Sequence, residues 1–267
     1  MKNNRTELHI LTEYSPFSMG FVIITEEDRA IIIDGGWAAE LPNIVAHVGD
    51  RPVAAWILTH PDPDHIDALN HALKHSHPIV EATEKFIYNF HSRDFYARYG
   101  NAAAIDRFNH YNERIRDRIV APVAGDTFEI DGLHFEILFS RDEKYQVNAN
   151  NDSSLVFRVT GKRQSVLFLG DLGPYAGADL LAKHGKYLES DVVQMAHHGH
   201  GCVRKDVYEA INPRACIWCC QAWLYREPAE RDYGGEQYGT MRTRRWMEEL
   251  GVTEHYVTKD GDQVIMI

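Results

Sequence analysis

Four side chains that can bind divalent metal ions lie within six residues: His60, Asp62, Asp64 and His65. The prolines that separate them hold the backbone extended and remove N–H groups that would compete for the same acceptors. First-row divalent ions accept imidazole and carboxylate ligands, and two ions about 3.5–4 Å apart can hold both the attacking and the leaving oxygen of a displacement. The alternative is a charged turn with a helix N-cap, since Asp64 precedes an apolar helix. Four such residues predict a two-metal site, with His60 and Asp62 facing one ion and Asp64 and His65 the other.

The segments on either side of these residues indicate how they are positioned. Residues 53–59 form an apolar strand pattern that ends directly at His60, and residues 66–74 have the spacing of an amphipathic helix. Short alternating or apolar runs predict further strands at 21–25, 30–34, 128–130, 133–139, 154–160, 165–171, 191–196, 215–220, 254–257 and 263–267. Two successive sets of strands with helices predict a pair of facing sheets with helices on the outside.

Residues 83–118 differ from the rest because aromatic and charged residues recur there at helical spacing. We predict that this stretch is a helical insertion in a single domain of residues 1–267. Its aromatic side chains include Phe86, Tyr96 and Phe108. They either line a substrate pocket or pack against the rest of the domain, and a stripe of this kind favours packing.

The composition is that of a globular protein, with 44% hydrophobic and 25% charged residues. The formal net charge of -11 repels phosphate backbones, which argues against a typical nucleic-acid-binding domain. The four cysteines lie between positions 202 and 220, which indicates reduced core thiols and not a disulfide framework. The chain has no run of about 18 apolar residues and no apolar leader segment, so we expect a soluble, cytoplasmic protein.

Five motifs, taken in order along the chain, resemble those of the metallo-β-lactamase superfamily. They are Asp34-Gly35-Gly36, the segment from His60 to His65, Asn151 to Val156, Leu169-Gly170-Asp171 and His197-His198-Gly199. The superfamily signature is His-x-His-x-Asp-His after a strand, and here Asp62 replaces the second histidine. This variant resembles the branch that contains the soluble hydrolase domain of competence-type DNA-uptake proteins, and also phosphorylcholine-esterase-type phosphodiesterases. The resemblance implies an α/β fold, a four-layer αββα sandwich, and a metal-dependent hydrolase.

The resemblance implies six metal ligands, all of them imidazole or carboxylate side chains: His60, Asp62, Asp64, His65, Asp171 and His197. The first two would bind one metal ion and the next two a second ion, and Asp171 would bridge the pair. His198 would be either a further ligand or a general acid near the leaving group, so we predict Asp64 and His198 as the catalytic residues. Asp34 would support the metal loop.

Two departures from the family pattern bear on the metal ions. Asp62 offers a hard oxygen where the family has an imidazole nitrogen, so manganese and iron are alternatives to the expected zinc. Where the branch has Tyr-Gly-His-Pro, this chain has Tyr238-Gly239-Thr240-Met241, so Thr240 replaces the final histidine. Either the second ion has a poorer ligand set or His200 compensates, and we expect one or two bound divalent ions.

The predicted reaction is hydrolysis of a phosphoester, in particular a phosphodiester, by a metal-bound hydroxide. The substrate would be a small phosphoester, with nucleic acid as an alternative because metal would neutralise the acids of the site. Two other functions stay open: hydrolysis of a lactone, thioester or β-lactam carbonyl, and a non-catalytic role with a degenerate metal site. Arg242, Arg244 and Arg245 could contact phosphate, but we expect at least two of them on the solvent face of the last helix.

Overall fold

Two seven-stranded sheets form the centre of the protein, and the computed structural model describes residues 5–225 and 239–267. Within these residues the strands are β1 (Glu7–Ile10), β2 (Gly20–Ile24), β3 (Ala30–Asp34), β4 (Val53–Ile57), β5 (Phe86–Ile87), β6 (Ile119–Val120), β7 (Thr127–Ile130), β8 (Leu133–Phe139), β9 (Val156–Thr160), β10 (Ser165–Phe168), β11 (Val192–Gln194), β12 (Ala215–Trp218), β13 (Glu254–Val257) and β14 (Gln263–Met266). The first sheet has the order β14-β1-β2-β3-β4-β5-β6 and the second the order β13-β12-β11-β10-β9-β8-β7. Both sheets follow one plan: pairing is antiparallel from β14 to β3 and from β7 to β10, and parallel beyond β3 and beyond β10.

Helices cover the outer faces of both sheets. In the described residues they are α1 (Leu41–Val48), α2 (Pro63–Lys74), α3 (Pro78–Ala82), α4 (Arg93–Tyr99), α5 (Ala102–Tyr111), α6 (Pro174–His184), α7 (Lys205–Ile211), α8 (Ala222–Tyr225) and α9 (Thr240–Glu249). One outer apolar cluster joins α1 to α5 to the first sheet, and a second joins α6 to α9 to the other sheet. The predicted four-layer αββα sandwich is therefore confirmed. None of the helices in this part of the chain is long and apolar enough to cross a membrane.

The inner core lies between the two sheets, and strand β3 shows how its sequence serves both faces. Ile31 and Ile33 pack into the inner core, whereas Ile32 packs into the outer cluster beneath the helices. A strand that is buried on both faces needs a continuous apolar run and not an alternating one. Contact across the layer includes Phe21 and Phe168, whose ring centroids are 5.2 Å apart in an edge-to-face arrangement.

Residues 83–118 contain α4 and α5 but are not helical throughout. Phe86 and Ile87 form β5, which pairs in parallel with β4 and with β6 and so extends the first sheet. The prediction of a helical stretch is therefore wrong at β5, because two residues are too few to show the alternation of a strand. Tyr96 and Phe108 are fully buried in the same outer cluster as Trp56, so the predicted packing role of these aromatic residues is confirmed.

A half-buried ion pair joins the two sheets at the end opposite to the predicted metal loop. Arg29, in the β2–β3 turn, donates from Nε and Nη2 to the two carboxylate oxygens of Asp131 at 3.0 and 2.9 Å. Thr25 donates its hydroxyl to the same carboxylate at 2.7 Å. Asp131 and Gly132 form the two-residue turn between β7 and β8, and both have positive φ angles, 50° and 81°.

We expect Arg29→Met to lower the free energy of unfolding by about 1.5–3 kcal/mol, because it leaves a largely buried carboxylate without its charged donor. Urea denaturation of the metal-free protein measures the change. Arg93→Met is the matched control, since Arg93 makes a similar two-bond pair with Asp106 on the exposed surface. That control should change the free energy much less, because solvent screens an exposed pair, and equal losses in the two variants would contradict the prediction.

Candidate metal centre

The loop after β4 and the first turn of α2 carry four of the predicted ligands. The helix begins at Pro63, and Asp62 is its N-cap residue with an extended backbone, φ -69° and ψ 146°. The Asp62 side chain makes no capping hydrogen bond and instead accepts one from the Asn150 side chain at 2.6 Å. The alternative of an N-cap at Asp64 is wrong, because Asp64 is the second residue of α2 and Asp62 holds the cap position.

Asp34 supports this loop from the end of β3. Its fully buried carboxylate accepts hydrogen bonds from the backbone N–H of Thr59 at 2.7 Å and from the hydroxyl of Thr59 at 2.9 Å. Its Oδ2 atom also lies 2.8 Å from Nδ1 of His65. A donor at Nδ1 leaves Nε2 of His65 as the ligand atom, and this contact fixes the orientation of the ring.

The carboxylate of Asp171 lies among four imidazoles just after β10. Its Oδ1 atom is 3.2 Å from Nε2 of His65. Its Oδ2 atom is 3.6 Å from Nε2 of His198 and 3.7 Å from Nε2 of both His60 and His197. One acid from the second sheet thus contacts histidines from both sheets, which is the position expected of a carboxylate shared by two ions.

Adjacent histidines face the same centre because the backbone is left-handed at both. His197 has φ 51° and His198 has φ 60°, an uncommon conformation for non-glycine residues that often accompanies function. Nδ1 of His197 lies 2.9 Å from Sγ of Cys202, and Nδ1 of His198 lies 3.0 Å from the carbonyl oxygen of Cys219. These contacts leave both Nε2 atoms directed at Asp171.

All the predicted ligands and catalytic residues lie in this one cluster. The ligand atoms of four of them lie within 4.8 Å of one another, so these residues could hold one ion: Asp64, His65, Asp171 and His198. His60 and Asp62 lie beside this set, with Nε2 and Oδ2 3.7 Å apart. His198, predicted as either ligand or acid, lies in the four-residue set, whereas His197 does not.

The donor atoms fit divalent ions. In the part of the chain that the structure describes, the buried Nε2 atoms of His60, His65 and His198 and the Oδ1 atom of Asp171 make no hydrogen bond. Buried polar atoms are normally hydrogen-bonded, so four that converge without partners require an explanation. Imidazole nitrogen and carboxylate oxygen are the ligands that zinc, manganese and iron accept.

The charges within the cluster favour the protonated forms of His65 and His198 when no metal is bound. Burial opposes the charge on His65, but the carboxylates of Asp171 and Asp34 outweigh burial and raise its pKa well above the usual value. Burial likewise opposes the charge on His198, and Asp171 and Asp64 raise its pKa to about 9. Burial acts to raise the pKa of Asp171, yet the surrounding histidines, His65 first, hold it well below the usual value. A metal ion that binds to His65 and His198 would therefore have to displace protons from them.

The position of the missing family histidine lies close to the cluster. Thr240 is the first residue of α9 and is 2% exposed, and the preceding Gly239 packs against the backbone of Gly201. The ring of His200 is 4.8 Å from that of His197, and burial, followed by the charges of His197 and His198, lowers the pKa of His200 to about 3. Tyr238 of the same motif lies outside the described residues.

The three arginines of α9 occupy different environments. Only Arg245 is exposed, so the prediction that at least two of them lie on the solvent face is wrong. Arg244 is half-buried, donates to the carbonyl oxygen of Tyr225 at 2.7 Å and lies over that ring. Arg242 is half-buried against Gly201, next to the histidine loop.

Sequence reasoning missed Thr59 and Asn150, although both contact predicted site residues. Thr59 ends the predicted strand, and Asn150 belongs to the run Asn148-Ala149-Asn150-Asn151, of which only the last residue was matched to a family motif. A cluster of amides beside a metal-binding motif was the available signal, because amide side chains can orient carboxylates.

We expect Asp34→Asn to lower metal affinity about 10–100-fold, because an amide cannot accept all three hydrogen bonds that orient Thr59 and His65. Asparagine tolerates the left-handed backbone at this position, where φ is 52°, so the backbone should be retained. Metal content and calorimetric titration of the apoprotein measure the effect, with the surface variant Asp50→Asn as control. Unchanged metal affinity in Asp34→Asn would show that the hydrogen bonds of Asp34 are not needed for metal binding.

We expect metal affinity to rise with pH, by about tenfold per pH unit for each proton displaced, until the pKa of about 9 of His198 is passed. Because this pKa is raised above about 6.5, the proton stabilises the metal-free fold fully below that pH, and the effect is lost as pH rises through 9. Manganese titrations from pH 6.5 to 9.5, in buffers of different ionisation enthalpy, measure affinity and proton release together. A flat affinity profile without proton release would contradict this assignment.

Comparison with known proteins gives the family. The sequence model of the metallo-beta-lactamase superfamily matches residues 19–206, which include the metal loop, Asp171 and His198. No curated protein sequence matches the chain.

Solved structures of similar shape include YhfI from Bacillus subtilis, described as a metallo-beta-lactamase fold protein, with 12% identity and a TM-score of 0.59 over 99% of this chain and 100% of that one. CmlA, a diiron beta-hydroxylase from Streptomyces venezuelae, has 10% identity and a TM-score of 0.62 over 99% of this chain and 55% of that one. A diphosphatase from the PhnP family has 11% identity and a TM-score of 0.51 over 98% of both chains. At these identities the structures establish a shared fold. With the family match, they show that the chain belongs to the metallo-β-lactamase superfamily of metal-dependent hydrolases.

Proposed function

We propose that this chain hydrolyses phosphoesters, and phosphodiesters in particular, at a centre for two metal ions. The observation that carries the proposal is the position of Asp171, whose two oxygens lie 3.2–3.7 Å from the Nε2 atoms of four histidines. A carboxylate with imidazoles on both sides suits two ions that share one ligand. When bound, such ions acidify water and neutralise charge that develops on phosphoryl oxygens.

The proposed ligands divide into two sets around Asp171. Asp64, His65 and His198 form the first set, supported by the closeness of their ligand atoms. His60, Asp62 and His197 form the other. Three carboxylates in one site give the ions hard oxygen ligands, so manganese and iron remain alternatives to zinc.

The side chains of the site would also orient the reacting groups and move protons. Asp64 has a 20% exposed side chain and lies 3.3 Å from Nε2 of His198, so it can accept a proton from a water molecule at the centre. His198 is 1% exposed and held by the carbonyl of Cys219, which suits a ligand better than a donor that must reach a leaving group. The side chain of His197 is 33% exposed, so solvent reaches it more readily than it reaches His198.

Phosphorus chemistry is favoured over carbonyl chemistry by Asp62. Lactone, thioester and β-lactam hydrolases of the superfamily typically have a histidine at this position, whereas a hard carboxylate suits ions that contact phosphoryl oxygen. The diphosphatase of the same fold acts on a phosphorus centre, as its name states, whereas CmlA is a hydroxylase, so the fold permits phosphorus chemistry as well as other reactions. The four cysteines are free and buried, which is consistent with the predicted cytoplasmic location.

The test compares three substrates for the zinc- and manganese-loaded protein: bis-p-nitrophenyl phosphate, nitrocefin and an acyl-lactone. We expect turnover of the phosphodiester, and a loss of kcat/KM on the order of 100-fold or more in Asp171→Asn. His71→Ala is the matched control, because His71 is exposed on α2 and is not a proposed ligand.

Activity confined to the lactone or the lactam would overturn the phosphoesterase assignment in favour of carbonyl hydrolysis. Less than about one equivalent of metal after gentle purification, with no rescue by added zinc or manganese, would instead indicate a non-catalytic protein.

A further inference from the structure

A chain of hydrogen bonds connects the helices α4 and α5 to Asp62 of the metal loop. Asn101, which caps α5, donates its backbone N–H to Oδ1 of Asn150 at 2.8 Å. The side-chain Nδ2 of Asn150 then donates to Oδ1 of Asp62 at 2.6 Å. The side-chain amide of Asn150 therefore makes two hydrogen bonds. Its oxygen accepts one from the helical segment, and its nitrogen donates one to a proposed metal ligand.

We propose that Asn150 is a positioning residue that selects which oxygen of Asp62 faces the metal centre, and that α4 and α5 hold Asn150 in place. The inference rests on the proposed role of Asp62 as a ligand. Asn150 binds Oδ1 of Asp62, and the other oxygen, Oδ2, is the one that lies 3.7 Å from Nε2 of His60. The Asp62 side chain is 25% exposed, so without this bond its carboxylate can turn towards solvent.

The need for such a residue follows from the chemistry of the ligand. An imidazole has one ligand atom once its other nitrogen is hydrogen-bonded, whereas a carboxylate has two equivalent oxygens and several binding geometries. Where the family signature has histidine, this chain has Asp62. The amide of Asn150 supplies the orientation that a histidine would obtain from a partner at its second nitrogen.

Gly100, at the end of α4, shows how closely the helical segment fits Asn150. A Cβ atom at this position would overlap Oδ1 of Asn150. The φ angle of Gly100 is -145°, which other residues also adopt, so the glycine is required by the contact and not by its φ. Ser153 adds to the support, since its hydroxyl donates to the carbonyl oxygen of Asn150 at 2.6 Å and lies 2.9 Å from the hydroxyl of Tyr96 on α4.

The experiment measures metal binding in three variants of the full chain. Asn150→Ala removes the donor to Asp62. Gly100→Ala leaves every site residue unaltered, but its added Cβ atom would displace the side chain of Asn150. Asn101→Ala is the matched control, because it removes the side-chain cap of α5 but keeps the backbone N–H that binds Asn150. Manganese and zinc are titrated into each apoprotein by calorimetry, and unfolding midpoints are compared with and without metal.

We expect the dissociation constant of one metal site to rise about 10–100-fold in Asn150→Ala, and to rise also in Gly100→Ala, with no change in Asn101→Ala. A merely structural role would lower the unfolding midpoints of the metal-free and metal-loaded forms equally. A positioning role lowers the stabilisation that metal adds, because this stabilisation depends on affinity.

The variant Asp62→Ala tests the ligand role of Asp62 separately from the positioning role of Asn150. If Asp62→Ala binds metal as tightly as the unaltered protein, the proposed ligand role of Asp62 fails. If Asp62→Ala weakens binding but Asn150→Ala and Gly100→Ala do not, the positioning role of Asn150 is overturned and the proposed ligand set stands.

Discussion

The contact of one buried carboxylate, Asp171, with histidines from both sheets is the interaction on which the site depends. An isolated buried charge is costly, so such a group is found with counter-charges or with metal. His60 and His65 follow β4 in the first sheet, whereas Asp171 and the pair His197 and His198 follow β10 and β11 in the second. The cluster therefore exists only while the two sheets pack face to face, and the apolar layer between them sets the separation of its halves.

Three residues of the cluster and its support have a left-handed backbone conformation. Asp34, His197 and His198 all have positive φ angles, which cost free energy for residues other than glycine. Each of these residues has a side-chain contact: Asp34 accepts hydrogen bonds from Thr59, and the Nδ1 atoms of His197 and His198 contact Cys202 Sγ and the carbonyl oxygen of Cys219. The rest of the fold thus maintains a loop geometry that an isolated peptide would not adopt, and the result is that two consecutive histidines face one point.

The sequence was sufficient to predict the features that leave a local pattern. Strands and helices impose periods on hydrophobic residues, so the sequence predicts the strand before His60 and the two facing sheets. The spacing of the ligands is visible in the sequence directly. The contacts that orient the site were not, because they join residues far apart in the chain, such as Asp62 and Asn150. An amide that bridges two loops leaves no periodic pattern of hydrophobic residues in the sequence. The same holds for the two-residue strand β5 and for the hydrogen bond from Arg244 to the carbonyl oxygen of Tyr225.

Charge gives a further constraint on the substrate of the proposed site. The cluster contains the carboxylates of Asp62, Asp64 and Asp171, and Asp34 supports it with a fourth. Two divalent ions would balance these four charges. A metal-loaded centre could therefore accept a phosphoryl group even though the whole chain carries a formal net charge of -11. That overall charge still repels a long polyanion, because its many phosphates extend over the surface beyond the centre. If the proposed activity is correct, this balance would favour a small phosphodiester over nucleic acid, since only the small substrate presents its charge where the metal ions neutralise the site.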